Sequence, residues 1–397
     1  MVTKERSPIG VIKPEGLGID MIIVAVGYRL NVFGFLAGKG LDGNYGFWDQ
    51  RLATEFMYKH GKAFGGNPNN ITISGLSAGA FSVQMQLNYE VFERPGSCAS
   101  EYPLFKRVIM LSNALPSTPK SLEEANVQLE LLYDQLEIPK DERSIETLCK
   151  VPTKKLFDAS RALRVNTYRA VVDNKFIGKD ILTHAYNGDL GKEMKERGIS
   201  IIIGEVEHEE ALYKLHESPA NAADLLPALV NYYREEVCNK ILKEYPTPKD
   251  EDSYDKLQDL YGQITSEMQV RASIRRFVQG LYNGGLPLDM LHRYRINFDA
   301  QIFLDKRIEP MKNQIPHGAD LTIWLYAGYG EVTKAEHDAI KEWMKPVENF
   351  IKGEKVDWGT KSIDEYRYMD RDGSIKVVRD SYFDRLINLA NIAAGVV

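Results

Sequence analysis

The chain has 397 residues, 44% of them hydrophobic and 27% charged, which supplies a sizeable core and excludes disorder for most of its length. Its 50 basic and 56 acidic residues give a formal net charge of −6, which excludes a general nucleic-acid-binding role. No apolar run reaches the roughly 18–20 residues that span a bilayer. The longest, 21–26 and 386–397, are too short, and Asn388 and Asn391 break the second.

The opening residues, from Met1 to Pro8, contain no apolar stretch of the kind a signal peptide needs. Cys98, Cys149 and Cys238 are odd in number and sparse, which argues against a disulfide framework and points to a reducing, cytoplasmic setting. None has the close spacing of a zinc site, so no metal is expected.

In chain order, Met21 to Val26 is a short β-branched apolar run that reads as a strand buried on both faces. Residues 48–60 carry helical spacing through Trp48, Leu52 and Phe56. The turn from Gly65 to Asn70 closes that helix, and Ile71 to Ser74 reads as a second strand. Residues 78–88 are helix-like and Arg107 to Ser112 reads as a third strand. Strand–helix alternation of this kind implies parallel crossovers and an α/β sheet. Ser121 and Glu124 form a capping box before a helix with Leu129, Leu132 and Leu136 on one face. Ser200 to Gly204 is another buried strand, 220–297 reads as helical, and 322–328 reads as the last strand. Thr333 and Glu336 cap a final helix with Ile340, Trp343, Val347 and Phe350 on its apolar side. The expectation is one domain over 1–397, with mainly helical insertions at 113–198 and 214–310.

Gly75-Leu76-Ser77-Ala78-Gly79 fits G-x-S-x-G, a pattern that is weak alone. Here it lies between a buried strand and a helix, where a tight turn strains the serine and flanking glycines avoid clashes. Ser77 would project from the carboxyl end of the sheet, and the Ala78 N–H would face a developing oxyanion. The competing reading is a Gly/Ser-rich turn without chemistry. A serine hydroxyl needs a base, and the base needs an orienting acid, in the order Ser, acid, His. His317 lies on a loop just before the strand expected at 322–328. Glu205, Glu207, Glu209 and Glu210 follow the strand ending at Gly204, and position alone leaves the choice among them open. His292 is the strongest rival base. His60, His184, His216 and His337 sit in polar or helical settings and read as solvated.

Three stretches carry a resemblance: Gly27 to Leu36, Gly43 to Ala53, and Phe64 to Ala80. They resemble type-B carboxylesterases, the carboxylesterase–cholinesterase–lipase group of the α/β-hydrolase fold, with a fungal-like texture. The resemblance is dense over 21–112, looser over 121–213 and thin near 310–345. It implies an α/β-hydrolase with a mostly parallel sheet, helical insertions and no cofactor. It makes Ser77 the nucleophile and His317, in Pro316-His317-Gly318-Ala319-Asp320-Leu321, the base. Counting from Gly204 along the family's Gly-x-x-x-Asp-Glu-Gly stretch, it makes Glu209 the acid, with His208 in place of the usual Asp and Glu210 in place of the usual Gly. Asp320 matches the motif as a loop-ordering carboxylate. A family disulfide would join Cys149 to a cysteine near Glu137, and that partner is lacking.

The resemblance also places a His-Gly-Gly-Gly motif and its strand upstream of Gly27. Neither Ile9-Gly10 nor Gly16-Leu17-Gly18 reproduces it, so N-terminal strands and part of the oxyanion hole are expected to be missing. The function expected is hydrolysis of a small carboxylic ester through an acyl-serine intermediate. The alternative is a truncated or non-catalytic protein of the same fold that acts in binding.

Overall fold

The β-branched runs between turns become strands of a six-stranded sheet, in the order β1 (Thr72–Leu76), β2 (Arg107–Leu111), β5 (Ser200–Val206), β6 (Leu291–Ile296), β7 (Glu365–Met369) and β8 (Ile375–Arg379). Neighbours from β1 to β7 are parallel and β8 closes the sheet antiparallel to β7. A separate parallel pair joins β3 (Lys120–Ser121) to β4 (Val171–Val172). The computed structural model describes residues 7–94, 103–215, 218–249, 251–298, 300, 314–327 and 332–395.

Period-two alternation sorts the strand side chains onto two faces. Val108 and Met110 of β2, with Ile201 and Ile203 of β5, join a core that includes Ala80, Val83 and Leu87 of α2 (Ala78–Asn88). Ile109, Leu111 and Ile202 point to the opposite core, built on Ile340, Trp343, Val347 and Phe350 of α7 (Lys334–Lys352). The centre of the sheet, β2, β5 and β6, is therefore a buried middle layer, as parallel strands require, whereas β1, expected to be buried, is half-exposed at one edge and β8 at the other. The helices α1 (Tyr45–His60), α2 and α7 stand where the spacing put them. Ser121 and Glu124 make the expected capping box on α3 (Leu122–Gln135), and Thr333 with Glu336 makes the one on α7. Helices fill most of the chain between β2 and β5 and again between β5 and β6, giving an α/β fold with a mixed sheet and helical insertions.

Four expectations are corrected. Residues 21–26 are extended but unpaired, and Ile22, Ile23, Val24 and Val26 are exposed rather than buried. A strand buried on both faces needs neighbours at its edges and cover above and below, and among the described residues no strand pairs with this segment. It lines an open apolar groove of about 580 Å³ with Phe56, Met57 and Phe64. Leu52 and Phe56 of α1 are likewise exposed, and Phe47 and Arg51 are the residues that helix buries.

Over the described part, 322–327, the strand expected at 322–328 is instead one helical turn, α6 (Leu321–Trp324), followed by a turn. Local bonds win there: Ile323 N and Trp324 N both donate to Asp320 O, and Trp324 Nε1 donates to Asp320 Oδ2. Residues 220–297 are not wholly helical, because β6 lies within them. Its His292, Arg293 and Arg295 read as polar, yet all are buried, and both arginines are paired with carboxylates. Finally, α7 is not the last element, since β7, β8 and α8 (Phe383–Ala394) follow it.

Candidate active site

β1 delivers Ser77 to a sharp turn. The serine adopts φ 55° and ψ −119°, and its N–H extends the ladder by donating to Leu111 O at 2.8 Å. Positive φ in a residue with a Cβ is a strained conformation that persists only when its surroundings hold it. What holds it is the close return of α2 over the strand. A Cβ on Gly75 would lie 2.2 Å from the carbonyl carbon and oxygen of Gly79, so position 75 admits only glycine. The turn leaves Ala78 exposed at the start of α2, whose first turn has no side-chain cap. Its free amide dipoles therefore point out at the strand's carboxyl end.

The carboxyl ends of β2 and β5 supply a second set of groups. Glu209 follows β5, is fully buried, and contacts His317 Nδ1 through Oε2 at 2.5 Å. Its Oε1 accepts from Ser112 Oγ at 2.7 Å and from Val206 N at 2.9 Å. The carboxylate is thus fixed by three donors, one of them the imidazole. Burial works against a charged His317, but the Glu209 charge and hydrogen bond outweigh it and hold the imidazole pKa above its ordinary value. His317 Nε2 is buried without a hydrogen-bond partner, so no bond to Ser77 Oγ is formed. The His317 loop nonetheless packs on the strand that carries the serine, since a Cβ on Gly318 would lie 3.1 Å from a Leu76 methyl. Bonds of this kind often tighten only with substrate bound.

His208, in the place of the family's Asp, ties the acid loop to the base loop. Its N–H donates to Ile315 O at 3.1 Å and its Nδ1 accepts from Ile315 N at 3.1 Å.

The other acids and histidines are engaged elsewhere. Glu205 is buried in a cluster with Arg275 and Arg295, whose charges outweigh its burial and drive its pKa far down. Glu207 lies 3.9 Å from Arg295, and Glu210 pairs with Arg271. His292, the rival base, sits in β6 against Phe350 and Trp358 with both ring nitrogens unpartnered. Burial pushes its pKa down to about 4. His184 is not simply solvated: it stacks on Phe92 and bonds Asp189. His337 likewise bonds the Tyr326 hydroxyl. His60 is exposed and tilted against Phe56. His216 and Cys98 lie outside the described residues.

Two residues beside the site were not legible in the sequence. Ser112, at φ 54°, ends the strand between β1 and β5, and only the parallel order of those strands brings it to Glu209. Tyr213 stacks obliquely on His317 with ring centroids 5.1 Å apart, and its hydroxyl is buried without a partner. Asp320 accepts from Tyr294 Oη at 2.8 Å and from Trp324 Nε1, which is the loop-ordering arrangement. Burial, assisted by the Glu209 charge, lifts its carboxyl to about 6. No group of metal-ligating side chains occurs among the described residues, and no helix among them is long and apolar enough to cross a membrane.

The fold is thus an α/β protein with a mixed sheet that carries a serine at positive φ after one strand and a buried carboxylate–imidazole pair after another. The sequence profile of the Carboxylesterase family matches residues 12–371, and the chain belongs to that family. It is 38% identical over 398 residues to an uncharacterized esterase/lipase of Schizosaccharomyces pombe, across 97% of this chain and 72% of that protein. It is 32% identical over 401 residues to a carboxylic ester hydrolase of Gibberella moniliformis, across 94% of this chain and 72% of that one. A shorter match, 42% over 110 residues, is to a cholinesterase of Mus musculus, across 26% of this chain and 17% of that enzyme.

Proposed function

We propose that the chain hydrolyses a carboxylic ester through an acyl-serine intermediate. Ser77 Oγ attacks the ester carbonyl while His317 Nε2 takes its proton. The negative charge on the carbonyl oxygen develops against the Ala78 N–H. His317 then protonates the departing alcohol and activates water for the second half of the cycle. Glu209 keeps the Nδ1 proton in place, so that Nε2 is free to accept, and it stabilises the imidazolium once formed. Ser112 Oγ and Val206 N hold the carboxylate in that orientation.

The observation that carries this reading is the 2.5 Å contact between Glu209 and His317 Nδ1, beside a serine held at positive φ. The reading takes 1–397 as one domain, with mainly helical insertions between β2 and β5 and between β5 and β6. Turnover of p-nitrophenyl acetate and longer p-nitrophenyl esters tests it. Ser77→Ala should abolish turnover without changing the unfolding midpoint. Equal turnover by that variant would reject Ser77 as nucleophile.

A further inference from the structure

One flank of the site carries cations without carboxylate partners. Lys120 of β3 is in register with Val171 of β4, and Arg169 precedes Val171 by two residues, so the strand pair brings the two together. The Arg169 segment is anchored by Gln128 Nε2, which donates to Val165 O and Thr167 O, and by Thr167 Oγ1, which donates to Asn231 O. Its guanidinium lies over the face of Tyr232, 4.4 Å from the ring centroid. Stacking of this kind leaves the edge N–H groups of the fork available. Among the described residues no carboxylate forms an ion pair with Lys120 or Arg169. Glu124, whose charge also acts on Lys120, is taken up by Arg234 at 2.7 Å.

The electrostatics of Lys120 follow from that arrangement. Burial, and next the like charge of Arg169, hold its pKa below the ordinary lysine value. A bound anion would relieve both the repulsion and the missing counter-charge. This flank also reaches the site already described. Tyr213 stacks on His317 and packs on the same apolar cluster as Ala170 and Val172 of the Arg169 segment, and the charges of both Glu209 and Arg169 act on its phenol. Its hydroxyl is buried without a hydrogen-bond partner, a group left unsatisfied by the fold itself.

On the reading of the chain as an ester hydrolase, we infer that Lys120 and Arg169 select esters that bear a carboxylate, such as monoesters of dicarboxylic acids. The free carboxylate sits against the Arg169 fork and the Lys120 ammonium while the ester carbonyl lies at Ser77. Tyr213 and Tyr232 form the wall between the two ends. Nothing in the elbow or the acid–base pair requires such a substrate, so this is a property of the flank alone.

The test compares ethyl hydrogen adipate with its neutral counterpart, the ethyl ester of adipic monoamide, by following acid release. The native protein should favour the anionic ester in kcat/KM, and that preference should weaken as salt is raised. Arg169→Gln and Lys120→Gln should each cut the anionic-to-neutral ratio about tenfold, the scale of one lost charge-assisted bond. Lys154→Gln, an exposed lysine elsewhere on the helical insertion, should leave the ratio unchanged. A ratio at or below one, or a ratio unmoved by both substitutions while the neutral ester is still turned over, overturns the inference and leaves the hydrolase reading standing. Failure to turn over either ester, with p-nitrophenyl esters also left intact, removes the hydrolase reading. Calorimetric titration of the Ser77→Ala protein with ethyl hydrogen adipate then decides the flank. Binding that Arg169→Gln abolishes supports it, and no binding overturns it.

Discussion

Exchanging Glu209 for glutamine should separate chemistry from folding. The carboxylate accepts from Ser112 Oγ, Val206 N and His317 Nδ1. A glutamine carbonyl oxygen can keep the first two bonds, but its NH₂ then faces the imidazole. To avoid donor meeting donor, His317 must carry its proton on Nε2, where it can no longer accept from Ser77. The expected loss is on the order of 10⁴ in kcat, the size of a wrong-tautomer effect, or about 5 kcal/mol of barrier. Folding should barely change, because the side chains are isosteric and no buried charge is orphaned. Glu205 sets the contrast. It is four residues away and pairs with the buried Arg275 and Arg295, so Glu205→Gln removes the charge between two buried guanidinium groups, of which Arg275 keeps Asp380 and Arg295 loses its close partner. Breaking a buried pair in this way costs roughly 3–5 kcal/mol. Ester turnover at saturating substrate, beside urea unfolding midpoints, reads both quantities. If Glu209→Gln keeps more than a tenth of native activity, or Glu210→Gln proves the more damaging of the two, the acid has been misplaced.

The remaining outcomes follow from the same geometry. Because Glu209 holds the His317 pKa up, kcat/KM should fall on acidification with a midpoint above the ordinary value of about 6.5. A midpoint below 6 would contradict that pairing. Asp320 has its carboxyl lifted to about 6 in the fold, against about 3.9 unfolded. The folded state then holds the extra proton between those values, so stability falls as pH rises through them, by up to about 3 kcal/mol. Asp320→Asn should remove that slope, and parallel stability–pH curves for the two proteins would refute it. Gly75→Ala pushes a methyl into the Gly79 backbone. It should cost about 1–3 kcal/mol of stability and on the order of a hundredfold in activity through displacement of Ser77, and unchanged activity would show that the turn is not under this constraint.

The elements that were legible in the sequence are those whose local pattern and final environment agree. The run from Ile201 to Ile203 is apolar and is buried, and Ser121 with Glu124 forms the capping box its spacing implies. Where tertiary partners decide, the pattern misleads. Residues 21–26 are as β-branched as any true strand, yet no neighbour pairs with them. β6 reads as polar because Arg293 and Arg295 are neutralised by Asp380 and Glu205, which are distant in sequence. After Asp320, that residue captures the backbone and indole of Ile323 and Trp324, and a helical turn replaces the expected strand. The same division holds in the site. The proposed nucleophile Ser77 is marked by its own neighbours and His317 by its order along the chain, whereas Glu209 is singled out from its neighbouring glutamates only by the family resemblance. Ser112, Tyr213 and Arg169 are recognisable only once parallel strands and inserted helices bring them alongside.

The most direct measurement is labelling by a fluorophosphonate, which reacts with a serine only where a base and an oxyanion site activate it. Intact mass of the treated protein should rise by one adduct, peptide mapping should place it on Ser77, and Ser77→Ala should take up none. An adduct on another residue, or ester turnover that continues in a protein with no adduct, would contradict the assignment of Ser77 as the nucleophile.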